Sequence, residues 1–434
     1  MFKSLIVNNL SKKEFYEDLQ GKINKKSKDV GLFCFILFVV KKISIYFAIS
    51  IVYIFTRLIK PFIFIRFGSL DADKIGPLIS RPSLYLLEKD HHIQPQNTLD
   101  IFYDGYGENR HICNNQLLKM WKRIFLTRKW VIFSDSIARN FYEFCVRFSI
   151  KTEHMITTTR DGRDVLGLVE RSKLYLQFTE EEVSRAKSEI KKMGMNENDS
   201  YVCMLNRSQS YLDKKFKGRN WDYQVFRNCA IEGYMPAAEE MTKRGHYVIR
   251  MGSIVGDLMN TENPKIIEYA HKGFRTELLD IYLSANCYFI ITCSSGLDGV
   301  TWFFKRPGVI VNFVHLEHIN SWQSNHITIF KKYWLKRENR FMSIQEIFES
   351  GAGRFLRSEL YEDMGIELID NTPEEIMDVV DEMDKRLKGT WQTSEADEEL
   401  QRRFWFFFKS SSLHGVIRSR VGTEFLRQNR ELLY

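Results

Sequence analysis

The residues best suited to chemistry surround a short polar turn in the second half of the chain. An apolar run (289–291) leads into the turn Ser294–Gly296, a helix-like segment follows (297–304), and a second apolar run closes the unit (308–313). This order predicts strand, turn, helix and strand in a parallel sheet. Bare N–H groups and the positive dipole end at a helix N-terminus favour a phosphate. The alternative is an ordinary serine N-cap.

The turn lacks the signatures of the common phosphate loops. It contains no lysine, so it is not a P-loop, and it is not a GxGxxG motif either. A nucleotide-sugar site can hold a diphosphate with backbone groups, hydroxyls and an arginine from elsewhere in the chain. We therefore predict donor contacts from Ser294, Ser295, Gly296 and Asp298, although Asp298 could also simply complement the helix dipole.

Two arginines end predicted strands and are further donor-binding candidates. Arg207 closes the run YVCMLNR, and Arg250 closes YVIR. A guanidinium at such a position can hold a diphosphate and stabilise the charge that grows on a leaving nucleotide, so Arg207 is also a catalytic candidate. For both arginines the alternative is a structural salt bridge.

Four charged residues near the start of the soluble chain are candidates for the acceptor side. A carboxylate can take the proton of an acceptor hydroxyl, and Asp73 and Glu88 are the predicted bases. Arg66 could contact a phosphate of a lipid-linked acceptor or pair with Asp71 or Glu88, and Asp71 is the fourth acceptor-side candidate. Asp71 and Asp73 form a DxD pair, but this pair follows the first predicted strand directly. We predict no metal.

Composition limits the classes of partner. The chain has 434 residues, of which 44% are hydrophobic, and a net charge of +8 without a concentrated basic stripe. Nucleic-acid binding is therefore not expected, whereas an anionic membrane surface or a phosphorylated substrate suits the charge. Seven scattered cysteines without a CxxC pair indicate a reducing compartment and argue against zinc.

The N-terminal region contains the most apolar stretch, residues 31–55, interrupted by Lys41 and Lys42. Neither half reaches the ~20 residues that a spanning helix requires. A span through both halves would hold two lysines in lipid, at roughly 2.5–3.5 kcal/mol each. A monotopic anchor avoids that cost, while a single span and a buried soluble helix remain the alternatives. We predict a membrane-associating segment over residues 1–60.

Alternating strand-like and helix-like segments predict an α/β fold with two Rossmann-like, doubly wound domains after the anchor. The predicted divisions are a first, acceptor domain at 61–177, a linking helix at 178–198, a second, donor domain at 199–370 and C-terminal helices at 371–434. The predicted strands of the first domain are 61–68, 83–90, 100–103 and 130–134. Helices are predicted near 115–127 and 136–149, with Thr179 and Thr372 as N-caps further on.

A series of motifs resembles a family of bacterial glycosyltransferases encoded among surface-polysaccharide and lipopolysaccharide biosynthesis genes. The motifs are RFGSLDADKIGP (66–77), YLLEKD (85–90), HYVIRMGS (246–253), PKIIEYA (264–270), DIYLSANCYFIITCSSGLDGV (280–300) and TPEEI (372–376). The second half is also distantly similar to fucosyltransferase-type GT-B enzymes, whose second domain opens with a strand ending in an arginine, here Arg207.

The resemblance implies a GT-B-like, metal-independent enzyme that moves a sugar from a nucleotide-sugar donor to a glycan or lipid-linked acceptor. It also implies a location at the cytoplasmic face of the bacterial inner membrane. The family pattern usually carries His after the Ile-Gly pair, but this chain has Pro77, which leaves the identity of the base open. The alternatives are a nucleotide-sugar epimerase or hydrolase of the same fold, or a non-catalytic component of polysaccharide assembly.

Overall fold

The structure is a computed structural model that describes residues 32–105, 111–158, 162–208, 221–253, 258–411 and 413–434, with side chains from residue 36 onward. Its contacts divide the chain into two compact units. Unit 1 comprises the chain up to Gly68, Asn97–Tyr103 and Ile132–Ile156; unit 2 comprises Ser69–Gln96, Asp104–Val131 and Thr157–Tyr434. The domain boundaries predicted from the sequence stay predictions.

The helices and strands alternate along most of the chain. The helices are α1 (Leu32–Ile59), α2 (Ile75–Asp90), α3 (Asn115–Phe125), α4 (Asp135–Arg147), α5 (Leu168–Arg171), α6 (Glu180–Lys192), α7 (Met235–Lys243), α8 (Glu277–Asn286), α9 (Gly296–Phe303), α10 (Ile344–Ser350), α11 (Ser358–Asp363), α12 (Pro373–Leu387), α13 (Glu395–Trp405) and α14 (Thr423–Gln428). The strands are β1 (Phe64–Ser69), β2 (Thr98–Tyr103), β3 (Val131–Phe133), β4 (Tyr201–Leu205), β5 (Tyr247–Arg250), β6 (Ile266–Glu268), β7 (Ile290–Thr292), β8 (Gly308–Phe313), β9 (His326–Phe330), β10 (Lys332–Leu335), β11 (Arg340–Phe341), β12 (Ile366–Ile369) and β13 (Arg420–Val421).

Unit 1 is a small sheet with two helices. Its strands have the order β1-β2-β3. The inner face of α1 packs on α4 and β1 through Ile49, Phe67 and Phe141, and the rings of Phe67 and Phe141 stack at 3.9 Å. Helix α1 is one continuous helix of 28 residues, and the lysine pair does not interrupt it. By length and composition, Ile36–Ile59 is long and apolar enough to be a membrane-span candidate.

Unit 2 is built on a seven-stranded sheet of order β13-β9-β8-β7-β4-β5-β6. All six neighbouring pairs are parallel. From the central β4 the chain first adds β5 and β6 on one side, and then returns to add β7, β8 and β9 on the other. The predicted parallel α/β organisation is thus confirmed for this half. An antiparallel sheet, β11-β10-β12, extends the unit.

The predicted strand at 83–90 is wrong, because these residues form the second half of α2. Residues 83–89 are all buried, and Leu84–Leu87 form a continuous apolar run that reads like a buried strand. The helix also contains Pro82, although proline normally interrupts a helix. Glu88 consequently lies in the last turn of a helix rather than at a strand end.

Most other elements are confirmed within a few residues. Thr179 and Thr372 cap α6 and α12 with reciprocal hydrogen bonds to the glutamates three residues later. These caps depend on neighbouring residues in the sequence, so the local pattern was enough to place them.

Candidate functional site

The centre of the candidate site is the point where the strand order reverses, between β4 and β7. The two strands are parallel neighbours, with Leu205 opposite Thr292. Arg207 follows β4, and its backbone N–H donates to the sulfur of Cys293, which follows β7, at 3.1 Å. In open α/β sheets, ligands bind in the crevice at such a reversal, beyond the carboxyl ends of the strands. Arg207 and the polar turn therefore share the position where a ligand is expected.

The turn between β7 and α9 exposes the start of a helix. Ser294 adopts a left-handed φ of 62°, and Ser295 is the N-cap of α9. The Asp298 carboxylate accepts from the Ser295 backbone N–H at 3.1 Å. The Ser295 hydroxyl is buried, and its O–H has no acceptor among the described residues. A shielded O–H without an acceptor, beside a helix N-terminus, can donate to a phosphate oxygen.

Asp298 has an unusual proton affinity. Burial raises the pKa of its carboxyl from 3.8 to about 7, although backbone N–H groups of Gly299 and Ser295 and the charge of Arg227 oppose the shift. Below neutral pH Asp298 is largely protonated and places little negative charge at the start of α9. The helix N-terminus therefore keeps its attraction for an anion in that range.

Two arginines line the reversal point without a carboxylate partner. The Arg207 guanidinium donates to Gln224 Oε1 at 2.6 Å, and Arg227 donates to the Ser294 carbonyl oxygen at 3.2 Å. Within the described ranges, neither guanidinium forms an ion pair, and the buried Arg207 Nε has no partner. Burial, and then repulsion from Arg227, lowers the pKa of Arg207 to about 10, and burial also lowers that of Arg227. Two partly desolvated cations side by side favour a multivalent anion between them.

His315 completes this side of the site. It lies just beyond β8, with its ring edge-on to Phe226 at 5.4 Å. Burial, followed by the charges of Arg227 and His318, lowers the pKa of its imidazole to about 3. Its buried Nδ1 has no partner among the described residues. His315 is therefore a neutral hydrogen-bonding group rather than a third cation.

The loop after β1 reaches the same turn. A Cβ added to Gly296 would lie 2.7 Å from Ile75 Cγ2 and 3.0 Å from the Gly76 backbone nitrogen. Two residues without a side chain thus allow α9 and α2 to approach closely. Asp73 precedes Ile75 by two residues, at most about 7 Å of chain, so this carboxylate lies in the neighbourhood of the turn.

The two aspartates of the DxD pair differ in environment. Burial raises the pKa of the half-buried Asp73, opposed mainly by Lys74. Asp71 is buried and forms an ion pair with Arg81 of α2. A carboxylate with a raised pKa is a better proton acceptor, so Asp73 is the more suitable base of the two.

The structure places three other predicted site residues in internal contacts. Arg250 is 1% exposed and donates to Glu268 on β6 at 2.9 Å. In unit 1, Arg66 grips Asp100 with two hydrogen bonds of 2.8 and 2.7 Å. Glu88 is buried and accepts from Gln94 at 2.6 Å. Arg250 and Arg66 thus form salt bridges, which were the alternative to a functional role, and Glu88 is held by an internal hydrogen bond. None of the three is included in the site below.

Sequence reasoning missed Arg227. It ends a short 3-10 segment, Asp222–Arg227, that carries no recognisable motif. Its approach to Ser294 joins positions 67 residues apart, so no local signal could have revealed it.

Other candidate sites are weaker. Among the described residues, no group of three or more His, Cys, Asp or Glu side chains could hold a metal ion, and metal independence stays a prediction. A shallow depression of about 610 Å³ lies in unit 2 near Trp334 and Tyr434. Arg340, which lines this depression, forms ion pairs with Glu338 and Glu346. Its charge is therefore not available to bind an anion there.

Comparison with known proteins gives only distant structural likeness. No family model and no curated protein matches the chain. A family 9 glycosyl transferase from Veillonella parvula is similar at 12% identity and a TM-score of 0.37, covering 62% of this chain and 86% of that one. ADP-heptose lipopolysaccharide heptosyltransferase II from E. coli is similar at 12% identity and 0.33, covering 69% and 98%. UDP-GlcNAc 2-epimerase from Methanocaldococcus jannaschii is similar at 12% and 0.23, covering 59% and 71%. Likeness at this distance assigns neither family nor function.

Proposed function

We propose that the chain is a GT-B-like glycosyltransferase that takes a sugar from a nucleotide-diphosphate donor. The observation that carries the proposal is the meeting of Arg207, Arg227 and the N-terminus of α9 at the reversal point of the parallel sheet. Neither arginine forms an ion pair with a carboxylate among the described residues, and the Ser295 O–H has no acceptor there. The missing partner with the right chemistry is a diphosphate.

In the proposed reaction an acceptor hydroxyl attacks the anomeric carbon of the donor sugar. The bond from that carbon to the diphosphate oxygen breaks, and the nucleotide diphosphate leaves with the electron pair. Arg207 and Arg227 stabilise the negative charge that develops on it, while His315 can offer a neutral hydrogen bond. Asp73 takes the proton of the acceptor hydroxyl. Asp73 is thus the general base in this proposal, in place of the histidine that the family pattern usually carries after the Ile-Gly pair.

The acceptor in this proposal is a glycan or a lipid-linked glycan of surface polysaccharide synthesis, and the enzyme works at the cytoplasmic face of the bacterial inner membrane. No metal or organic cofactor is required, because the two guanidiniums supply the positive charge that a divalent ion would otherwise provide. The apolar α1 supports the membrane location, and the resemblance of the ordered motifs supports the choice of sugar transfer.

The first test is a thermal-shift screen of the full chain with nucleoside diphosphates and their sugar conjugates. A ligand that binds only the native state raises the melting temperature. We expect one nucleotide diphosphate to do so in the wild type, and Arg207→Ala and Arg227→Ala to lose most of the shift. Arg402→Ala removes an exposed arginine of α13 and is the matched control, which should keep the full shift.

The second test separates transfer from other reactions. With the stabilising donor sugar nucleotide, the wild type should release nucleotide diphosphate faster when a glycan acceptor extract is added, and Asp73→Asn should remove the acceptor-dependent part. Isomerised donor, or release that no acceptor changes, would favour the epimerase or hydrolase alternative. Donor binding without any turnover would favour the non-catalytic one. If no nucleotide shifts the melting temperature, the proposed donor site is wrong.

A further inference from the structure

Unit 1 carries an apolar surface that its own core leaves uncovered. Helix α1 has two apolar faces, and one of them packs on α4 through Ile45, Ile49 and Val52. The opposite face is exposed and carries a large apolar side chain every third or fourth residue. We name this face the outer stripe; it consists of Ile36, Val40, Ile43, Phe47, Ile51, Ile54 and Leu58.

The outer stripe is regular. At 100° per residue its seven positions fall within an arc of about 80° on the helix surface. Phe47 is 69% exposed and Leu58 70% exposed, and Phe62, directly after the helix, is 89% exposed. A soluble monomer rarely exposes so long and continuous an apolar surface unless another phase or partner covers it.

The charges beside the stripe indicate what covers it. From Val30 to Gly68 the sequence contains five lysines and arginines and no acidic residue. Lys41 and Arg57 are exposed and fall on opposite flanks of the stripe by helical angle. Arg57 donates to the hydroxyl of Tyr53 at 2.8 Å. Basic and tyrosine side chains beside an apolar face suit the headgroup region of an anionic bilayer.

The inner face of α1 argues against a transmembrane orientation. Lys42 pairs with Glu143 of α4 at 3.1 Å, and Tyr46 and Tyr53 contact the aromatic rings of Phe144 and Phe141 on the same helix. If α1 crossed the bilayer with these contacts intact, charged residues of α4 would enter hydrocarbon, which is strongly unfavourable. A helix lying flat on the membrane keeps Ile45, Ile49 and Val52 packed on α4 and places the outer stripe in lipid.

We propose that unit 1 is a monotopic membrane-docking module in which α1 lies in the plane of an anionic bilayer, with its outer stripe and Phe62 in the acyl boundary. Lys41 and Arg57 then contact lipid phosphates on either side. The proposal concerns the surface of unit 1 and stands whether or not the chain transfers a sugar.

Vesicle binding by the full chain tests the partner. The wild type should sediment with vesicles that contain phosphatidylglycerol, and less with pure phosphatidylcholine, and added salt should weaken the difference. Phe47→Glu with Leu58→Glu should lower the partition to anionic vesicles roughly tenfold or more, because two large apolar contacts are lost and two negative charges gained. Leu356→Glu with Phe406→Glu changes two residues of unit 2 that are 58% and 75% exposed, and should bind like the wild type.

Several outcomes would overturn the proposal. Equal binding by the stripe variant and the wild type would show that the outer stripe does not contact lipid. A stripe-dependent dimer that does not bind vesicles would make a second copy of the chain the partner. The orientation of α1 is tested with an N-terminal epitope tag on the full chain. Sealed membrane vesicles, inside-out and right-side-out, are prepared from expressing cells and treated with a protease. The proposal requires the tag and unit 2 to be cut in the same vesicle orientation, whereas cutting in opposite orientations would show a span.

Discussion

The backbone N–H of Arg207 donates a hydrogen bond of 3.1 Å to the sulfur of Cys293, and so joins the end of β4 to the turn after β7. The two residues are 86 positions apart in the chain. This contact connects the two chain segments that carry the guanidinium and the helix N-terminus of the proposed diphosphate site.

Removal of the Cys293 sulfur should weaken both stability and ligand binding. Cys293→Ala leaves a shielded N–H without an acceptor, which costs about 1–3 kcal/mol of unfolding free energy, and it should reduce the nucleotide-induced thermal shift. Cys287→Ala is the control, because that buried thiol donates to the Ser284 carbonyl oxygen and accepts from no backbone N–H among the described residues. Urea unfolding gives the comparison, and equal losses in the two variants would mean that the bond contributes nothing.

The close approach of Gly76 and Gly296 should be asymmetric toward substitution. Gly296→Ala places a Cβ 3.0 Å from the Gly76 backbone nitrogen, and such overpacking should cost on the order of 1–3 kcal/mol. Gly76→Ala meets only the Gly296 Cα, at 3.5 Å, which is ordinary contact. It should leave stability unchanged or slightly higher, since alanine is the better helix residue. Thermal unfolding of both variants measures the difference in stability. Equal losses of stability in the two variants would show that the crowding at Gly296 is not what destabilises the protein.

The raised pKa of Asp298 should make diphosphate binding pH-dependent. As the pH rises from 6 to 8 the carboxyl loses its proton around pH 7, and the new negative charge repels the ligand. Affinity measured by calorimetry should therefore fall over this range relative to Asp298→Asn, which removes this titration but retains an oxygen acceptor for the Ser295 N–H. Parallel pH profiles in the two proteins would contradict the assignment.

The same group predicts the pH dependence of stability. The folded-state pKa lies above the ordinary 3.8, so the folded protein holds the proton more tightly than the unfolded chain. This stabilising contribution is complete below about pH 4 and disappears as the pH rises to about 7. The unfolding free energy of the wild type, relative to that of Asp298→Asn, should thus decrease from pH 4 to pH 7, at most by about 1.4 kcal/mol per unit of pKa difference. Urea titrations at pH 5 and 8 check the sign.

The buried pair of Arg66 and Asp100 should act as a structural element of unit 1. Arg66→Met removes the ion-pair partner of a carboxylate that is 0% exposed, and we expect a loss of about 3–5 kcal/mol. Arg66→Met with Asp100→Leu removes both charges and should recover most of that stability. Unfolding followed by circular dichroism gives both values. If Arg66→Met alone were as stable as the wild type, the pair would not be structural. The acceptor-side role that the sequence predicts for Arg66 would then be the better explanation.

Local patterns predicted the elements whose signals lie within a few residues. The cap at Thr179 satisfies backbone N–H groups in its own first turn, and the strand–turn–helix unit at Ser294–Gly296 carries its apolar period and its turn residues together. In the second half of α2, residues 83–89 are all buried and Leu84–Leu87 are apolar without interruption. Such a run has no alternation between apolar and polar positions from which a helical period can be recognised.

By itself, the sequence determined a parallel α/β sheet in the second half, a turn suited to an anion between β7 and α9, and an apolar N-terminal helix. Each of these depends on composition and short-range spacing. Only the tertiary structure decided that Arg227 joins Arg207 at the turn, that Arg250 and Arg66 are held in ion pairs, and that one face of α1 is covered while the other is free. The physical reason is that a charged side chain has the same identity in a salt bridge and in a ligand site. Its role depends on the partner that the fold brings within about 3 Å, and that partner is usually distant in the chain.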